Sequence, residues 1–189
     1  LFPAIGAVLL GGGAITTGAL TAAFAAGAFL SSLFSGRIGR YRAHGLGIER
    51  AILVYGVAIL AFGAVLLAAS FGVGAAGGVS ETSPNIALIV LAVLVLAVAG
   101  GADNVSAIYR STMMQSAVPD SIRGRLQGIF IVVVAGGPRV GALYAGTLAT
   151  FTTLWFPPLL GGLLILAIVT TLVRLSPGFR AYDADNPVP

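Results

Sequence analysis

The sequence contains no cysteine, no lysine and a single histidine, His44, among its 189 residues. Without thiols, neither a disulfide framework nor a thiolate metal site can form, and one histidine cannot build a histidine cluster. Only 8% of the residues are charged, whereas a typical soluble domain has about 25%. A chain of this size with so few charges lacks a surface suited to water. The composition therefore indicates an integral membrane protein.

Apolar residues are what the sequence has in abundance, at 58% of the chain. They form continuous runs rather than the alternating pattern of a membrane β-barrel, so the expected fold class is all-α integral membrane. A helical span needs about 20 apolar residues. This criterion predicts one transmembrane bundle over residues 1–189, with a partial span and a polar tail. The spans are 1–10 (partial), 14–34, 51–72, 85–110, 126–149 and 159–173, and the tail is 174–189.

The partial span is followed by three glycines, residues 11–13, which interrupt the apolar run. We interpret residues 1–10 as the end of a truncated helix. The next span carries small residues at four-residue spacing, a pattern that lets two helix backbones approach closely in lipid. This spacing of small residues predicts either ordinary helix packing or a surface on which two helices slide during a conformational cycle. The small residues form two rows, Gly18, Ala22 and Ala26, and Ala23 and Gly27.

The arginines predict the orientation of the chain, whose net charge is +4. They concentrate in the loops 35–50 and 111–125 and in the tail, and these segments alternate with arginine-free turns at 73–84 and 151–158. The positive-inside rule places the arginine-rich segments and the C-terminus in the cytoplasm. No basic stripe lies on a polar face, so nucleic acid is not an expected partner. Abundant Ala, Gly and Val without Lys is typical of GC-rich bacterial genomes, which favours a bacterial cell membrane.

Arg139 is the most informative single residue of the sequence. It lies about 13 residues into its span, or ~20 Å at 1.5 Å per residue, which is too deep for an easy return to the interface. We expect its guanidinium to face the bundle interior or a water-filled cavity, as an anion or substrate contact or as half of a buried ion pair. Pro138 removes a backbone donor, and we expect a helix break there. The glycines of this predicted break are Gly136, Gly137 and Gly141.

Asp103 is the second charged residue inside a predicted span, and Asn104 follows it. Together with Arg139, these two residues are the candidates for a substrate or proton pathway. Ser106 and Arg110 lie on the same side of a helix as Asp103, three and seven residues further on. The carboxylate is a candidate for taking up and releasing a proton, or for hydrogen bonding to Asn104 or to a neighbouring helix. Its estimated depth also makes an ion pair with Arg139 a hypothesis.

Other chemistry finds little support in the sequence. We expect His44 to be a solvated residue of the basic loop, since metal and proton-relay sites need partners that it lacks there. No catalytic triad can be assembled around it, and no phosphate loop of the form GxxxxGK[ST] is present. No metal site, no cofactor and no enzymatic activity are therefore expected.

The segment from Gly100 to Gly128, GGADNVSAIYRSTMMQSAVPDSIRGRLQG, resembles the loop between the tenth and eleventh helices of major facilitator superfamily exporters. It is most similar to the branch that contains enterobactin exporters and macrolide or multidrug efflux proteins. The signature of that branch, TP-x-x-hydrophobic-RGR, stands here as Val118-Pro119-Asp120-Ser121-Ile122-Arg123-Gly124-Arg125. The segment AGGPRVG, from Ala135 to Gly141, resembles the same branch, with Ala142 where relatives often have an acidic residue.

The first basic loop is similar to the G-x-x-x-D-R-x-G-R-R loop of the superfamily. Arg37, Gly39 and Arg40 match its R, G and R, whereas Ser32 and Gly36 stand at the positions of the leading Gly and the Asp. The resemblance covers essentially the whole chain and implies the C-terminal six-helix half of a twelve-helix transporter, with its first helix truncated.

The resemblance also implies a function: efflux of an amphipathic small molecule, such as a siderophore or drug, by proton antiport. Two halves would rock around a site near the membrane midplane. The implied partners are membrane lipid, the cargo, protons and an N-terminal half of the same transporter. A membrane-embedded enzyme and a non-transporting membrane scaffold or fragment remain alternatives.

Overall fold

The computed structural model describes residues 1–41, 43–72, 83–118, 120–176 and 178. Within these residues every regular element is a helix, and a π-helical turn, Ile5–Leu9, follows the first one. The helices are α1 (Phe2–Ala4), α2 (Gly13–Ser32), α3 (Ser35–Ile38), α4 (His44–Ser70), α5 (Ile86–Ala117), α6 (Asp120–Phe151) and α7 (Phe156–Leu175). Five of them, α2 and α4 to α7, are long and apolar enough to cross a membrane. The all-α fold is therefore confirmed for the described residues, with helices that are compatible with membrane spans.

The helices extend beyond the predicted spans on the arginine-rich side. Helix α4 begins at His44 instead of residue 51, α5 continues to Ala117, and α6 starts at Asp120. The predicted loops 35–50 and 111–125 are therefore wrong in extent, because a short helix and three helix ends occupy most of them. Apolar runs mark where a helix meets lipid, while Arg, Gln, Met and Ser continue a helix into water without difficulty.

The three-glycine segment ends the first apolar run, as predicted. Gly11, Gly12 and Gly13 have φ of 77°, 74° and 50°, a left-handed region that side chains disfavour. The hydroxyl of Thr16 donates to the carbonyl of Gly11 over 2.6 Å. The turn returns residues 1–10 to the bundle, where Ile5 and Leu10 are fully buried with residues of α2, α4 and α5.

Two of the predicted segments lie mostly outside the described residues. The arginine-free turn at 73–84 is described only from residue 83, and the polar tail 174–189 only at residues 174–176 and 178. The second arginine-free turn is described: α6 ends at Phe151 and α7 begins at Phe156. Trp155 and Phe156 pack there edge to face, with ring centroids 5.8 Å apart.

Helices α2 and α5 cross with their backbones in contact. A Cβ atom on Gly27 of α2 would overlap the carbonyl oxygen of Ala97, and one on Gly100 of α5 would overlap that of Phe24. Small residues at such a crossing allow the close approach that stabilises helix pairs in lipid. The row Ala23 and Gly27 is buried in this contact, whereas Gly18 meets nothing within 4 Å. Ordinary helix packing therefore accounts for the small residues Ala23 and Gly27. The row that begins at Gly18 is exposed.

A second close crossing joins α4 to α7. A Cβ on Gly63 would lie 2.7 Å from the backbone nitrogen of Leu159, and one on Gly162 would lie 2.6 Å from that of Leu60. Helix α4 also packs along α5. The order of packing is thus α2, α5, α4, α7, with the first apolar segment buried at one end.

Helix α6 differs from the other spans because it is exposed along its length. None of the residues in its most apolar stretch is buried, and its packing is mainly against α7. Its glycines meet nothing: a Cβ on Gly124, Gly128, Gly136, Gly137 or Gly141 would have no neighbour within 4 Å.

We predict that Gly27→Leu destabilises the chain while Gly18→Leu does not. Both changes improve helix propensity equally, but only the first forces a side chain into a backbone carbonyl, and overpacking costs about 1–3 kcal/mol. Thermal unfolding in detergent, followed by size-exclusion chromatography, measures the difference. Equal midpoints for the two variants would contradict the close α2–α5 crossing.

Candidate functional site

Helices α4, α5 and α7 line a cavity of about 240 Å³ that contains three polar residues of the third predicted span. Tyr55 comes from α4, and Asp103, Ser106 and Arg110 come from α5. The remaining lining is apolar and is contributed by Ile52, Ile165, Ile168 and Val169. The spacing of three and seven residues places the α5 side chains on one side of the helix, as predicted.

Asp103 and Arg110 form an ion pair within α5. The Nη2 atom of Arg110 lies 3.7 Å from Oδ1 of Asp103, and both side chains are partly exposed, at 39% and 51%. The Nε atom of Arg110 also donates to the backbone carbonyl of Ser106 over 3.3 Å. The arginine is therefore anchored by its own helix and holds a cation beside the carboxylate. A pair this exposed contributes little to stability.

Ser106 is the most buried polar residue of the cavity, with 1% of its surface exposed. Its Oγ atom has no hydrogen-bond partner among the described residues. A buried hydroxyl without a partner is unfavourable by about 1–3 kcal/mol, so its presence calls for an explanation. A water molecule or a polar group of a ligand in the cavity would satisfy it.

Asn104 faces away from the cavity, although it follows Asp103 directly. Its Nδ2 atom donates to the hydroxyl of Ser31 in α2 over 2.8 Å. Consecutive helical residues point about 100° apart, so the two side chains serve different contacts. Asn104 links α5 to α2 rather than lining the predicted pathway.

Arg139 lies on α6, away from this cavity, and its side chain is exposed. The predicted position of its guanidinium in the interior of this bundle is therefore wrong. The hypothesis of an Asp103–Arg139 pair is also wrong, because the carboxylate pairs with Arg110. The predicted break is absent as well: α6 continues through Pro138, with Gly136, Gly137 and Gly141 in helical conformation. One proline removes a single backbone hydrogen bond, which a long helix tolerates.

The motifs of the arginine-rich ends lie at the termini of helices. The Nη2 atom of Arg123 donates to the carbonyl of Val118 over 3.0 Å, which joins α6 to the end of α5. Pro119 and the side chain of Asp120 lie outside the described residues. Gly124 and Arg125 follow in the exposed first turns of α6.

The first basic motif surrounds α3. Arg37 is exposed in α3, and Gly39 follows its last residue. The Nε atom of Arg40 donates to the carbonyl of Gly36 over 3.1 Å. The two arginines therefore sit on a short, folded connection between α2 and α4.

His44 is buried, which corrects the expectation of a solvated loop residue. It begins α4 with 2% of its surface exposed, and its ring lies 5.5 Å from that of Tyr109. A Cβ on Gly47 would come within 2.6 Å of the Tyr109 ring, so the glycine makes room for this aromatic contact. Local sequence carries little sign of this burial, because a histidine among arginines resembles a loop residue.

Tyr55 is the residue of the cavity that the sequence patterns above do not single out. It is the only hydroxyl-bearing side chain between residues 51 and 69 of an otherwise apolar span, which is the signal that would have marked it. Its partners on α5 and α7 are far away in the sequence, so only the fold shows their convergence.

No protein-family model, curated protein or solved structure matches this chain.

We predict that Ser106→Ala leaves the stability of the chain unchanged or raises it, since the hydroxyl makes no hydrogen bond within the described residues. Asn104→Ala is the comparison: it removes the bond to Ser31 and should lower stability by about 1 kcal/mol. Unfolding midpoints in one detergent measure both variants. A loss for Ser106→Ala as large as that for Asn104→Ala would show that the serine is held by protein contacts.

Proposed function

We propose that this chain is one half of a membrane transporter that exports an amphipathic small molecule by proton antiport. The observation that carries the proposal is the cavity between α4, α5 and α7, where a carboxylate, a cation and a buried hydroxyl without a partner among the described residues occupy helices of membrane-span length. Ionisable residues within membrane spans are expensive and mark substrate or proton pathways.

The exposed helix α6 supports the assignment to one half of a larger assembly. Arg139 lies 12 residues before the end of α6, or ~18 Å along the helix, near the middle of the span. An arginine exposed to lipid at that depth is unfavourable by at least ~2.5 kcal/mol. Its face is therefore expected to meet protein or water, as a second six-helix half with a central aqueous path would provide.

In the proposed cycle Asp103 is the residue that carries the proton. When its carboxylate is ionised, Arg110 neutralises it at 3.7 Å. A proton and a cationic group of the cargo can each take the place of Arg110 at this carboxylate. Cargo and proton would thus compete for Asp103, which is the requirement for antiport. The Arg-rich helix ends, with Arg123 and Arg125, would lie on the cytoplasmic side.

We predict that Asp103→Asn abolishes efflux driven by a pH gradient. The experiment uses the full gene product in proteoliposomes, with ethidium as the amphipathic probe and its fluorescence as the readout. Glu49→Gln is the control, since Glu49 lies on α4 beside a different cavity, and it should retain transport. Transport that survives Asp103→Asn, with its pH dependence intact, would refute the role of this carboxylate.

We also predict that the coding region upstream of Leu1 encodes about six further spans, as a two-half transporter requires. Sequencing that region tests the prediction directly. An upstream region that encodes no apolar segments of about 20 residues would instead favour a membrane scaffold or fragment.

A further inference from the structure

A second and larger cavity, of about 490 Å³, lies between α2, α4 and α5. It shares no lining residue with the cavity that contains Asp103. Its polar groups are the guanidinium of Arg50, the Tyr41 and Tyr109 side chains and the hydroxyl of Ser31, and none of the described residues that line it is a carboxylate. Most of the remaining wall is aliphatic.

The cavity is an elongated slot with a cation at one end. Along α5 its lining runs from Val98 to Tyr109, or ~16 Å at 1.5 Å per residue. Arg50 and Tyr41 are exposed and lie towards the same end as α3. Val54 and Val98 form the apolar end and are about half exposed. In a bilayer, we expect that end to face hydrocarbon and the end with Arg50 to face the interface.

We infer that this slot binds one anionic phospholipid, with an acyl chain between α4 and α5 and the phosphate at Arg50. Tyrosines prefer the headgroup level of a bilayer, which matches the place of Tyr41 and Tyr109 beside the cation. Lipid binding of this kind needs membrane insertion only and goes beyond the proposed transport activity.

Charge complementarity selects an anionic lipid as the occupant. Arg37 and Arg40 lie at the same end of the bundle, on the connection from α2 to α4. The nearest carboxylate in the sequence, Glu49, lines a different cavity on another side of α4. Each arginine near an anionic surface adds roughly a fivefold gain in binding.

The test is native mass spectrometry of the full gene product, released from mixed micelles with equal phosphatidylglycerol and phosphatidylcholine. We expect one retained phosphatidylglycerol per chain. Arg50→Gln should lower its occupancy about fivefold, and Val54→Trp should displace it by filling the slot. The matched controls are Arg174→Gln, in the last turn of α7, and Val134→Trp, on exposed α6, and both should retain the lipid.

Three outcomes would overturn the inference. Equal retention of phosphatidylcholine would show a neutral apolar slot, and equal losses in Arg50→Gln and Arg174→Gln would show a general surface charge effect. A dimer that covers the slot, with no retained lipid, would make a second copy the occupant. Unfolding midpoints of all variants identify any that fail to fold, and Arg50→Gln, at an exposed position, then carries the test by itself.

Discussion

The architecture depends on backbone contact between helices at points where no side chain fits. In a membrane, lipid chains compete for apolar surfaces, so helices associate through close packing instead of the exclusion of water. Gly27 and Gly100 provide this at the α2–α5 crossing, and Gly63 and Gly162 at the α4–α7 crossing. With α4 packed along α5, the two crossings fix four helices in order. Both cavities described above lie between these fixed helices, so their shapes are consequences of the same contacts.

The polar residues of the bundle are divided between the two sides of α5. Asn104 bonds to Ser31 of α2, while Asp103 and Ser106 line the cavity towards α4 and α7. Asn104 on the one side therefore has a hydrogen-bond partner within the protein, and the other side retains a buried hydroxyl without a partner among the described residues. This asymmetry supports the proposal that the second side holds a ligand, and it does so without any family resemblance.

The sequence was sufficient for the number and approximate position of the apolar helices, because runs of about 20 apolar residues reflect bilayer thickness. It also placed Asp103, Ser106 and Arg110 on one side of a helix, since that requires only helical periodicity. It was insufficient where contacts between distant segments decide the outcome. His44 is buried because Tyr109 packs against it where Gly47 makes room, and Arg139 is exposed because α6 packs mainly against α7. Neither the burial of His44 nor the exposure of Arg139 can be recognised from the residues next to it in the sequence.

The hydrogen bond from Asn104 to Ser31 has a mechanical consequence. Because Asp103 and Asn104 are adjacent in a rigid helix, a rotation or sliding of α5 against both α2 and α4 would change the register with α2 and move the carboxylate relative to Tyr55 at the same time. Displacement at one helix interface is thereby converted into a change of polarity in a cavity on the opposite side. Helix α5 would thus couple its contact with α2, made by Asn104, to the position of Asp103 in the cavity.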